Sequence, residues 1–109
     1  MTRKSAMRGM STGLFLLAMA TAPAQAADEV GRQLFNKGSS PACAVCHTLK
    51  DAGADGQGGP ILDDLKPGAD RVATALRNGI GYMPAYKDSL TEEQIQALAR
   101  YVSTATGAK

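Results

Sequence analysis

The run Cys43-Ala44-Val45-Cys46-His47 decides how the rest of the chain is read. Its form is C-x-x-C-H. Two thiols two residues apart fall on one helical turn, close enough to add to the two vinyl groups of one porphyrin. The histidine that follows is then carried beneath the ring, where its imidazole reaches the iron. Two other uses of a C-x-x-C pair compete. A structural zinc site takes four ligands, and the chain holds two Cys and one His in all. A thioredoxin-type redox pair belongs in a βαβ unit, and no convincing strand precedes Cys43. The motif therefore predicts one haem c bound covalently through Cys43 and Cys46, with His47 as an iron ligand.

The 109 residues suffice for one domain. The N-terminal stretch carries Arg3, Lys4 and Arg8. The apolar run Leu14-Phe15-Leu16-Leu17-Ala18-Met19-Ala20 follows, and then the small-residue site Ala24-Gln25-Ala26. That order reads as a secretory signal peptide over residues 1–26. The apolar run is short for a stable spanning helix, although an uncleaved membrane anchor is the competing reading. Cleavage after Ala26 leaves residues 27–109 as the mature domain. It is exported to the periplasm, receives its haem there and has no stable membrane association.

Losing the leader removes three basic residues and no acidic one, which takes the formal charge from +2 to about −1. No basic stripe survives in the mature part, which excludes nucleic acid as a partner. A mature chain of this size has a marginal core if it relies on side chains alone, and one of its two Phe lies in the leader. A porphyrin supplies the missing apolar mass. A Cys43–Cys46 disulfide is the alternative staple, but so short a loop constrains little unfolded-state entropy.

Helical spacing runs through the mature part. Ala27 to Lys37 is predicted as a first helix, with Asp28 and Glu29 in its first turn and Val30, Leu34 and Phe35 as an apolar stripe ended by Gly38. Gly31 lies one turn before Phe35. A glycine inside a helix costs up to about 1 kcal/mol, so it marks the close approach of another element. Residues 50–60 hold Gly53, Gly56, Gly58 and Gly59 and read as a loop. Ile61, Leu62 and Leu65 offer apolar cover on one short turn. A helix is predicted over Ala69 to Asn78, with Val72, Ala75 and Leu76 on one face and Gly79 as its stop. Leu90-Thr91-Glu92-Glu93-Gln94-Ile95 starts the last helix: Thr91 and Gln94 form a capping box, and Leu90 and Ile95 a hydrophobic staple. That helix runs to about Thr104 with Ile95, Leu98, Ala99 and Val102 inward. No strand pattern of useful length occurs, so the class is all-α.

Two further residues bear on the haem. Met1, Met7, Met10 and Met19 all lie in the leader, which leaves Met83 as the one methionine of the mature chain. It sits in the breaker-rich segment Ile80-Gly81-Tyr82-Met83-Pro84-Ala85-Tyr86, suited to reach across a flat cofactor as the second axial ligand. Core filler, a lysine ligand and an open sixth position are the alternatives. The pair Gly59-Pro60 is either a plain turn or the place where the Pro60 carbonyl holds the second nitrogen of His47.

Taken together, these residues resemble the class I c-type cytochromes in their short bacterial form, over nearly all of residues 27–109. The resemblance implies a small cytochrome c fold of three to four helices around one haem, with the N- and C-terminal helices crossing. Gly31 and Phe35 match one side of that crossing, and Leu98 and Tyr101 the other. Pro60 matches the family's proline whose carbonyl holds the proximal histidine. The mature charge departs from the lysine-ringed mitochondrial members. The runs Pro41 to Leu49 and Arg77 to Pro84 are also similar to small periplasmic cytochromes that accept electrons from molybdenum sulfite dehydrogenases.

His47/Met83 ligation fills both axial positions and suits transfer of single electrons rather than catalysis. The expected role is a periplasmic electron carrier, not an enzyme. Its expected partners are a donor dehydrogenase, with sulfite dehydrogenase as the candidate, and an acceptor oxidase or another cytochrome. A small haem peroxidase or a gas-binding cytochrome is the rival reading, and both need an open sixth position. Because the core is small, the double variant Cys43→Ala/Cys46→Ala is expected to be largely unfolded. A native-like far-UV spectrum with cooperative melting in that variant would show the polypeptide core to be self-sufficient.

Overall fold

The computed structural model describes residues 23–108 together with Gly9, Gly13 and Leu14, so most of the predicted leader lies outside the described residues. Five α-helices occur among them: α1 (Pro23–Lys37), α2 (Cys43–Cys46), α3 (Leu62–Leu65), α4 (Ala69–Asn78) and α5 (Glu92–Thr106). A two-residue antiparallel ladder joins β1 (Thr48–Leu49) to β2 (Ala54–Asp55), pairing Thr48 with Asp55 and Leu49 with Ala54. None of the described helices is long and apolar enough to cross a membrane.

The last helix, α5, is the element against which the others pack, chiefly α1 and α4. Its start is set locally. The Thr91 hydroxyl accepts from the Gln94 N–H at 3.1 Å, and the Gln94 side-chain oxygen accepts from the Thr91 N–H at 2.9 Å. Two of the donors that a helix leaves orphaned are thereby satisfied. Ile95, Leu98, Ala99 and Val102 are buried as expected, and Tyr101 joins them. The helix continues to Thr106, one half-turn beyond the expected end, where Gly107 stops it at φ 71°.

Tyr101 is where α1 and α5 cross. A Cβ added at Gly31 would meet the Tyr101 Cβ well inside contact distance and its Cγ at 2.6 Å. Only the missing side chain lets the two helices approach. One turn on, Phe35 meets the Tyr101 ring edge to face, with centroids 6.3 Å apart. The Tyr101 hydroxyl then donates to Asp51 at 2.6 Å, and Arg32 donates to the same carboxylate oxygen at 3.0 Å. First the Tyr101 hydroxyl and then the Arg32 guanidinium hold the Asp51 carboxyl below its usual range. A second ion pair, Arg77 with Glu92, joins α4 to α5 and holds the Glu92 carboxyl at about 2. Both carboxylates contribute above the ordinary carboxylate pKa, and the contribution is lost as pH falls through the depressed values. Both are exposed, so they register the helices more than they stabilise them.

Several expectations need correcting. Helix α1 begins at Pro23 rather than Ala27, because Ala24 to Ala27 are good helix formers and proline is tolerated in a first turn. Asp28 and Glu29 therefore lie in its second turn. Val30 is 51% exposed, since only the Gly31–Phe35 face of α1 is crossed. Residues 50–60 are more ordered than their composition suggests: Lys50–Ala52 form a 3-10 turn that leads into β2. Of the apolar trio before α4, Leu62 is buried, whereas Ile61 and Leu65 are exposed.

The crossing generates a prediction. Gly31→Ala should destabilise the protein by about 1–3 kcal/mol, the usual cost of an extra methyl in a filled contact. Denaturant melts that differ from the parent by less than 0.5 kcal/mol, about the scatter of surface changes, would show that the helices slide apart freely.

Candidate functional site: the cavity between Cys43–His47 and Met83

Helix α2 is one turn long, closed by the Val45 N–H to the Ala42 carbonyl at 3.1 Å and the His47 N–H to the Cys43 carbonyl at 2.9 Å. That turn sets the spacing of Cys43 and Cys46. At His47 the backbone leaves the helix for an extended conformation, φ −116° and ψ 142°. Burial pushes the free Cys43 thiol up in pKa, with the Ser39 hydroxyl 3.7 Å away pulling the other way. Cys46 is exposed.

The imidazole of His47 is fixed from behind. Its Nδ1 lies 2.8 Å from the Pro60 carbonyl oxygen. A carbonyl only accepts, so Nδ1 carries a proton in this contact, and in the neutral ring that leaves the lone pair on Nε2. The glycine-rich stretch is the mould for this arrangement. The Gly59 N–H donates to the Cys46 carbonyl at 2.6 Å, and the Thr48 hydroxyl donates to the Gly56 carbonyl at 3.0 Å. A Cβ at Gly56 would stand 2.6 Å from the Val45 oxygen, and one at Gly59 would stand 2.6 Å from His47 Cε1. The composition of residues 50–60 predicts a loop, and the Gly59-Pro60 pair allows the His47 contact, but the packing of Gly56 and Gly59 against α2 and the ring has no signal in the sequence.

Met83 is presented by a backbone clasp. The Ile80 N–H donates to the Met83 carbonyl at 3.1 Å, and the Met83 N–H donates back to the Ile80 carbonyl at 2.9 Å. Gly79 makes the clasp possible. It leaves α4 at φ 71°, and a Cβ there would meet the Met83 oxygen at 2.7 Å. The Tyr86 N–H then returns to the Leu76 carbonyl at 2.6 Å, so the segment is bound to α4 at both ends.

All five residues singled out from the sequence, Cys43, Cys46, His47, Pro60 and Met83, line one cavity of about 780 Å³. Its walls are Phe35 from α1, Leu62 from α3, Leu76 from α4, and Leu98 and Val102 from α5, with Tyr86 beside them. The size lies in the range of about 300–1,000 Å³ that holds cofactors, and the lining is mostly apolar. This suits a porphyrin, whose faces are apolar and whose iron needs two donor atoms. Met83 is partly buried against the core, and Tyr82, Ile80 and Leu65 line the opening while remaining exposed. Among the described residues, no group of three or more His, Cys, Asp or Glu gathers to hold a free metal ion.

Comparisons with known proteins agree with that fit. The family described as cytochrome C oxidase, cbb3-type, subunit III matches residues 26–102. The chloroplastic cytochrome c6 of Chlamydomonas reinhardtii is 36% identical over 106 residues, which cover 84% of this chain. The chain spans only 64% of the length of that relative. Cytochrome c-551 of Halorhodospira halochloris is 29% identical over 73 residues, covering 66% of this chain and 92% of its own. The crystal structure of the c-type cytochrome SorU from Sinorhizobium meliloti superposes with a TM-score of 0.72 at 54% identity, over 77% of this chain and 95% of that one.

The contact between Gly59 and the imidazole can be tested. Gly59→Ala is expected to displace the His47 ring and cost about 1–3 kcal/mol in denaturant melts of the haem-loaded protein. Gly58→Ala is the control, because its methyl would meet Cys46 at an ordinary 3.5 Å. Equal stability of the two variants would mean that the ring has room to give.

Proposed function

The chain belongs to the class I c-type cytochromes, and we propose that it works as a periplasmic carrier of single electrons. It is a small c-type cytochrome with one haem c attached through Cys43 and Cys46. The observation that carries the proposal is that His47 and Met83 line the same apolar cavity as the two thiols. When bound, the haem supplies an iron that passes between ferric and ferrous by one electron.

In this reading His47 would hold the iron through Nε2. The Pro60 carbonyl, accepting from Nδ1–H, fixes the tautomer and raises the basicity of the ring. Met83 would offer the iron a thioether, a ligand that favours the ferrous state and raises the potential. With both donor atoms supplied by the chain, peroxide and gases would be kept from the metal. Tyr82, Ile80 and Leu65 surround the opening, where a partner protein approaches.

The leader over residues 1–26 is removed on export in this account, and residues 27–109 act in the periplasm. The donor is a dehydrogenase, and the candidate is a molybdenum sulfite dehydrogenase. The resemblance of residues 41–49 and 77–84 to the cytochromes that serve such enzymes supports that choice. The acceptor is an oxidase or a second cytochrome.

Met83→Ala tests the site. The variant should keep its covalent haem, lose the weak near-infrared sulfur-to-iron band of the ferric protein, fall in potential and bind carbon monoxide when reduced. Retention of the band with no carbon monoxide binding would assign the ligand elsewhere. The donor is tested separately, by whether a sulfite dehydrogenase given sulfite reduces the parent protein. No reduction would remove that partner and leave the carrier reading intact.

A further inference from the structure

Tyr86 has 4% of its surface exposed, yet it carries a hydroxyl. That hydroxyl donates to the Pro41 carbonyl at 2.7 Å, across 45 residues of sequence. Pro41 stands two residues before Cys43, and Tyr86 stands three residues after Met83. Among the described residues, this is the one hydrogen bond that joins residues 38–47 to residues 79–90.

The backbone of Tyr86 is held independently of its side chain. Its N–H donates to the Leu76 carbonyl at 2.6 Å, and its carbonyl accepts from the Leu90 N–H at 2.8 Å and the Ser89 N–H at 3.0 Å. Residue 86 is therefore pinned to the end of α4 and to the entry of α5. From that fixed post the phenol reaches across the cavity wall to the attachment segment. The link back to Met83 is short, and Pro84 stiffens it by fixing its own φ. The spacing between the wall that bears Cys43 and the segment that bears Met83 thus passes through one phenol.

We infer that Tyr86 is a positioning residue, whose hydroxyl ties the Met83 segment to the haem-attachment segment and so keeps the thioether at the iron. The inference rests on the reading of Met83 as the axial ligand. Burial also raises the Tyr86 pKa, so the group stays an O–H donor through neutral pH. A phenylalanine here would keep the ring in its packing and lose only the tie. Pro41 is an exposed residue, and its carbonyl would then turn to water, whereas the Met83 segment would be freer to swing away.

The experiment compares haem-loaded Tyr86→Phe with the parent and with Lys87→Gln, which changes an exposed side chain of the next residue, outside the cavity lining. The readouts are the sulfur-to-iron band, carbon monoxide binding to the ferrous protein, and far-UV helix content, followed together through a denaturant titration. In Tyr86→Phe the band should vanish at lower denaturant, before the helices melt, and carbon monoxide should bind about two- to tenfold more readily, the range for losing one neutral hydrogen bond. Lys87→Gln should match the parent. If band and carbon monoxide binding stay at parental values in Tyr86→Phe, the inference is overturned. Loss of band and helix in parallel overturns it too, because Tyr86 would then serve the fold as a whole. Met83→Ala separates the two layers: if it keeps the band, the ligand reading itself has failed. If it loses the band while Tyr86→Phe does not, only the role of Tyr86 has.

Discussion

Apolar contact between the helices and what fills the cavity of about 780 Å³ between them governs the rest of the fold. With haem c in that space the apolar faces of the lining residues are withdrawn from water, and the side chains are arranged as a shell. Leu98 and Val102 of α5, Leu76 of α4 and Phe35 of α1 each give one face to the core and one to the cavity.

The shell needs a frame that holds its shape. The crossing of α1 on α5 provides it, and it works by subtraction: the absent side chain of Gly31 admits the Tyr101 ring. Tyr101 serves three contacts at once. Its ring closes the crossing, its edge meets Phe35, and its hydroxyl anchors Asp51 of the 3-10 turn. The turn in turn leads through β2 into the glycine stretch behind His47. A path of direct contacts thus runs from the helix crossing to the imidazole, through backbone and short side chains.

The sequence was legible where the signal is local. The capping box at Thr91 and Gln94, the stop at Gly79 and the turn of Cys43 to Cys46 each depend on residues within a few positions, and each stands where the pattern put it. It was also legible at Gly31, because a glycine in an otherwise good helix has a cost that needs a reason. Legibility ended where the partner is distant. Nothing in the composition of residues 50–60 says that Gly56 and Gly59 press on α2 and His47, since a glycine advertises room but not what fills it. Tyr86 read as one more residue of a breaker-rich segment, because its partner Pro41 is 45 positions away. The start of α1 differs for the opposite reason: the alanines before Asp28 carry no stop, so the helix runs back to Pro23 across the expected cleavage point.

An outer-sphere electron carrier works best when its two redox states share one geometry, since any rearrangement of ligands adds to the barrier. Here each candidate ligand is held through backbone groups. The imidazole of His47 leans on the Pro60 carbonyl with the Gly59 backbone against its ring, and Met83 is clasped by two hydrogen bonds to Ile80. Backbone groups inside turns have already lost their conformational freedom on folding, so holding a ligand with them costs no further side-chain entropy. They also carry no charge of their own to respond when the iron changes by one electron. The choice of carbonyls, glycines and a proline around the cavity is therefore the chemistry expected of a site that must change its charge and keep its shape.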